Sequence, residues 1–139
     1  MGRLTIRDAV CVVLAIFFAG AGVMHFTHLD GFIRVVPPFL PFKAMIVMVT
    51  GVMEWIFAIG LIIRRTRRVT GWVLSAYLLA VLPANIYMAM NAMPLGAIDT
   101  PIGLWTRVAM QFPLIGLILW ACTSLRPDRE RGPARPPLK

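Results

Sequence analysis

Charge, and acidic charge above all, is what this sequence has least of. Only 14% of its 139 residues are Asp, Glu, Lys or Arg and six are acidic, whereas 59% are hydrophobic and the mean hydropathy is +0.79. Soluble proteins carry about 25% charged and roughly 45–50% apolar residues, so this composition excludes an ordinary water-solvated domain. Cysteine is scarce too. Cys11 and Cys122 are the only two, and no C-x-x-C is present; both read as small apolar core residues near one end of their segments, and no thiol relay is expected. Histidine is limited to His25 and His28, too few ligands for an ordinary zinc site. No flavin or nicotinamide fingerprint occurs, so the chain has no haem, flavin or metal signature. The net charge of +8 would suggest nucleic acid in a soluble chain. Here the basic residues fall in the gaps between apolar runs, where lipid headgroups read them, and nucleic acid is excluded in favour of the bilayer as partner.

What is present is four apolar runs, at about 9–26, 44–63, 69–90 and 102–123. About 20 residues suffice to cross a bilayer, and without water for the backbone each crossing must be helical. The fold class is therefore an all-α membrane protein, a four-helix transmembrane bundle. Pro83 and Pro113 interrupt the third and fourth runs and mark kink points. Residues 1–125 form the transmembrane domain, and 126–139, "RPDRERGPARPPLK", reads as a disordered basic tail. The outer segment Leu29–Phe42, "LDGFIRVVPPFLPF", mixes aromatic and aliphatic residues with Asp30, Arg34 and prolines, which suits an interfacial loop over the bundle.

Arginine placement sets the orientation. Arg3, Arg7, the run Arg64, Arg65, Arg67, Arg68, and the tail's Arg126, Arg129, Arg131, Arg135 and Lys139 account for eleven of fourteen basic residues on one side. By the positive-inside rule that side is the cytoplasm, which leaves both termini inside. The start "MGRLTIR", an apolar run and Ala19-Gly20-Ala21 imitate a cleavable signal peptide, but the run continues to Phe26. Trp72, Trp105 and Trp120 lie near span ends, as interfacial anchors do.

Five polar residues interrupt the spans. At about 1.5 Å per residue, Glu54 lies roughly 15 Å from the outer edge, Arg107 and Asn85 roughly 8 Å, Gln111 one turn beyond Arg107, and His25 at the outer end of the first span. All five thus occupy the outer half of the membrane on four helices. Intramembrane charges face the bundle interior and pair, so Glu54 is expected to face Arg107, for which snorkelling to the outer headgroups is the competing option, with His25, Asn85, Arg107 and Gln111 as the ligand-binding set and Glu54 as anchor or proton-handling group. Small residues at Thr50, Gly51 and Ala58, and from Ala19 to Gly22, permit the close helix packing this requires.

The stretches "AGVMHF", "VPPFLP", "GVMEWIFAIGLIIRRTRR", "PANIYMAMN" and "LWTRVAMQFPL" occur in an order and spacing that resemble the DoxX family of small four-helix bacterial membrane proteins, over about Leu14 to Cys122. The resemblance implies that His25, Glu54, Asn85, Arg107 and Gln111 are the family's polar positions. It also implies association with membrane redox assemblies, since the family name comes from a subunit associated with a thiosulfate:quinone oxidoreductase. Three functional classes stay open: a subunit binding a lipophilic, quinone-like molecule beside a partner redox protein; a structural or assembly factor whose polar network only stabilises the bundle; and a stand-alone isomerase or proton-coupled carrier using Glu54.

Overall fold

A computed structural model describes residues 5–93 and 100–123. All regular structure there is helical: α1 (Ile6–Thr27), α2 (Leu29–Val35), α3 (Lys43–Ile62), α4 (Arg67–Met90) and α5 (Pro101–Thr123). All but α2 are long and apolar enough to cross a membrane. Their exposed surface is apolar, Ile16 at 68% and Ile56 at 60% exposure being representative, as lipid-facing positions require. The expected tail at 126–139 and Arg3 lie outside the described residues.

The helices begin and end where local chemistry dictates. α1 starts three residues before its apolar run because Thr5 and Asp8 form a capping box: the Asp8 amide donates to Thr5 Oγ1 (3.2 Å) and the Thr5 amide to Asp8 Oδ2 (2.9 Å). At the start of α5 the Gly103 amide donates to Thr100 Oγ1 (3.1 Å), and Pro101 takes the first helical position, where no N–H is needed. α4 closes on a Schellman pattern. The Met93 amide donates to the Met88 carbonyl and the Ala92 amide to the Ala89 carbonyl, with Ala92 left-handed at φ 48°. α4 and α5 both run through their internal prolines, Pro83 and Pro113. The segment read as an outer loop instead contains α2, which packs on α1, α3 and α4. Its Val35 joins Met88, Leu104 and Val108 in a small core at that end; Leu29, Phe32, Ile33 and Val35 give a short helix an apolar side that interleaved charges disguise in the sequence.

Two antiparallel contacts dominate, α1 on α3 and α4 on α5, with thinner contacts between the pairs. Both rest on glycine. A Cβ at Gly22 would lie 2.9 Å from the Gly51 carbonyl oxygen, one at Gly51 2.8 Å from His25 Cβ, and one at Gly71 2.5 Å from Cys122 Cβ. Lipid competes equally for apolar side chains, so association depends on such close backbone approach. The larger core, including Phe18, Phe57, Leu61, Leu74 and Ile118, draws on all four long helices.

At the Arg-rich end a buried ion pair replaces the simple charged loop that the arginine count implies. Arg67, 3% exposed, places its guanidinium 2.7 Å from Asp8 Oδ1 while its Nε donates to the Leu61 carbonyl (2.8 Å). Arg64 reaches Asp8 Oδ2 at 2.9 Å from an exposed position. Arg67 therefore holds the α1 start against the last turn of α3, whose carbonyls lack intrahelical partners.

The glycine contact generates a test. Gly51→Ala must push α1 from α3 and should lower thermal stability in detergent by about 1–3 kcal/mol. Gly20→Ala, whose Cβ would meet nothing within 4 Å, should leave the melting midpoint unchanged or raise it slightly. Equal effects at the two positions would show that the crossing is not tight.

Candidate functional site

Antiparallel packing of α1 and α3 aims His25 and Glu54 at each other. Helical side chains lean toward their helix N-terminus, so His25 leans toward the Arg-rich end and Glu54 away from it. Gly51, one turn before Glu54, admits the His25 side chain. Glu54 is 7% exposed, and its Oε2 lies 3.3 Å from His25 Nδ1. From α4, the Tyr77 hydroxyl donates to Glu54 Oε1 at 3.2 Å. The His25 ring stacks on Phe32 of α2, with centroids 4.1 Å apart, so α2 roofs the site.

His25 Nδ1 also lies 2.9 Å from the Ala21 carbonyl oxygen. A carbonyl only accepts, so Nδ1 carries a proton, and in the neutral form of the ring Nε2 is then the acceptor. The Nδ1–H is directed to Ala21. Glu54 Oε2 is consequently close to the imidazole without a hydrogen-bond donor of its own, a buried acceptor left without a partner. Such an atom costs about 1–3 kcal/mol, and it can accept a proton or a donor from a guest.

The remaining polar residues separate into two arrangements. Asn85 Nδ2 donates to Gln111 Oε1 at 2.9 Å, and Gln111 Nε2 donates to the Leu78 carbonyl oxygen. This cross-link joins α4 to α5 beside Pro83, which has no N–H to give the Leu79 carbonyl one turn back. Asn85 and Gln111 thus serve each other first. Arg107, half-buried on α5, corrects the expected pairing. Among the described residues the acid–base side-chain contacts within 4.0 Å are those of Glu54 with His25 and of Asp8 with Arg64 and Arg67, and Arg107 is in none of them. A place in the same half of two helices does not fix which way each side chain points, and α1 fills the space beside Glu54 first.

Tyr77 was missed because its ring counts as apolar in a hydrophobic run. The signal was available: a buried phenol needs a partner for its hydroxyl, and Tyr77 lies two turns before Asn85. At the opposite, Arg-rich end an open cleft of about 400 Å³ is lined by Thr5, Ile6, Arg7 and Trp120, with Arg7 5.1 Å from the Trp120 ring centroid. It shares no residue with the polar site.

The family model described as "Domain of unknown function (DUF8561)" matches residues 14–124, a range that contains every residue of the polar site. Neither the curated proteins nor the solved structures return a match.

If His25 is the partner of Glu54, a double-mutant cycle of Glu54→Gln and His25→Leu, read by thermal unfolding in detergent, should show a coupling of at least about 0.5 kcal/mol. The same cycle with Arg107→Met should show less. A larger coupling to Arg107 would reverse the assignment.

Proposed function

This chain belongs to the DUF8561 family, and from its geometry we propose that it is a DoxX-like four-helix bundle of the bacterial cytoplasmic membrane. It binds a lipophilic, quinone-like molecule as a subunit of a membrane redox assembly. The observation that carries this reading is the second carboxylate oxygen of Glu54, which is buried and receives no donor. A network that served only to hold helices together would be expected to close on it, because half-satisfied buried polar groups are destabilising.

A head group carrying a carbonyl and a hydroxyl supplies the donor that Glu54 Oε2 lacks. Its carbonyl accepts from the Arg107 guanidinium, its hydroxyl donates to Glu54 Oε2, and its apolar tail leaves between helices into lipid. Quinone reduction takes up protons as well as electrons, and the contiguous Tyr77, Glu54 and His25 set can hold and pass a proton at the carboxylate. A partner protein supplies the electrons. The same set of three supports the second reading, a stand-alone proton-coupled carrier or isomerase, in which Glu54 itself moves the proton. The DoxX likeness rests on the five quoted stretches, and the orientation on the arginine distribution.

Mass spectrometry of lipophilic molecules that co-purify in mild detergent tests the reading. A bound quinone-like molecule should be depleted about tenfold, equivalent to about 1.4 kcal/mol, in Arg107→Met and in Glu54→Gln. Asn85→Leu should deplete it less, since Asn85 already serves Gln111. Absence of any such molecule from the wild type, or equal occupancy in all variants, would favour the structural class.

Orientation has its own measurement. In intact cells an impermeant maleimide should label Asp30→Cys, at an exposed position of α2, and spare Thr66→Cys, exposed in the turn between α3 and α4. The reverse pattern would invert the topology.

A further inference from the structure

Cys11 and Cys122 come from opposite ends of the chain, yet their sulfurs lie 4.0 Å apart. Both residues are fully buried, and neither takes part in the polar site. Their neighbourhood is built to bring them together. Gly71 of α4 has no side chain where a Cβ would stand 2.5 Å from Cys122 Cβ and 3.2 Å from its sulfur, so Cys122 is seated in the notch that this glycine leaves. The contact also joins elements that otherwise touch lightly. α1 packs mainly on α3 and α5 mainly on α4, and the two sulfurs meet across the seam between those pairs.

We propose that Cys11 and Cys122 form a reversible dithiol–disulfide site, oxidised by a hydroperoxide, that clamps the two helix pairs together. In the first step one sulfur attacks the terminal oxygen of the hydroperoxide. An S–O bond forms, the O–O bond breaks, and the thiol proton leaves with the alkoxide as an alcohol, or as water when the oxidant is hydrogen peroxide. In the second step the other sulfur attacks the sulfenic sulfur. The S–S bond forms, the S–O bond breaks, and hydroxide leaves as water with the second thiol's proton. Two electrons pass from the sulfurs to the hydroperoxide, and no further reactant is needed. Bond formation requires the sulfurs to close from 4.0 Å to about 2.05 Å. Full burial restricts access to oxidants that are small or dissolve in lipid, and a small dithiol reverses the bond by exchange. The bond would close a loop of more than 100 residues, where the loop-entropy account of cross-linking gives large stabilisation.

The test uses the full chain in mild detergent, exposed separately to hydrogen peroxide and cumene hydroperoxide, then unfolded, alkylated with N-ethylmaleimide and weighed intact. The expected product has lost two hydrogens and takes up no alkylating reagent, while dithiothreitol restores two adducts. Its melting midpoint should rise by several degrees over the reduced protein, and Cys11→Ser and Cys122→Ser should each show no such rise. Two adducts after either oxidant, sulfinic or sulfonic mass gains without an intrachain bond, or disulfide links between two copies would each overturn the proposal. The readout does not depend on whether a guest occupies the polar site.

Discussion

The arrangement depends most on the crossing of α1 and α3 at Gly22 and Gly51. Helices in lipid gain little by hiding apolar side chains from one another, so the contact must come from close backbone approach and the dispersion it allows. Once these two glycines meet, much of the local geometry follows. The His25 side chain lies against Gly51 and reaches Glu54 one turn further along α3. Trp55 lies beside Gly22 and donates from its indole nitrogen to the Ala19 carbonyl at 3.2 Å, while its ring stacks on Phe26. The acidic group is thereby taken from lipid into contact with an imidazole and a phenol.

The two ends of the protein handle buried carboxylates in opposite ways. At the Arg-rich end Asp8 accepts from the Thr5 amide and hydroxyl and from both Arg64 and Arg67. Its acceptors are occupied, which suits a joint. At Glu54 one oxygen receives the Tyr77 hydroxyl and the other receives no donor. The difference is one of satisfaction rather than burial, since both side chains are almost wholly enclosed. A carboxylate with its hydrogen bonds complete resists exchange; one with a vacancy can take a proton or a ligand without first losing a partner.

Much of the fold was legible in the sequence because lipid imposes a simple rule on composition. The four apolar runs correspond to α1, α3, α4 and α5, displaced by one to three residues where Thr5, Pro101 and the turn before Arg67 set the ends. The polar residues that interrupt the helices could be picked out in the sequence, but not their pairing. Depth follows from counting along a helix, whereas partnership depends on the rotation of each helix about its axis, and this is why Glu54 was matched with Arg107 in place of His25. Arg67 was hidden because a count of arginines treats buried and exposed members alike. Tyr77 was hidden by its ring, and the meeting of Cys11 with Cys122 by the length of chain between them.

The Asp8–Arg67 joint also orders events during synthesis. The two residues are 59 positions apart, and at about 5–20 residues per second roughly 3–12 s pass between their emergence. For that interval the start of α1 carries a carboxylate whose guanidinium has not yet been made. Completion of the turn after α3 supplies the missing partner, so both halves of this joint are in the chain before any residue of α5 is made.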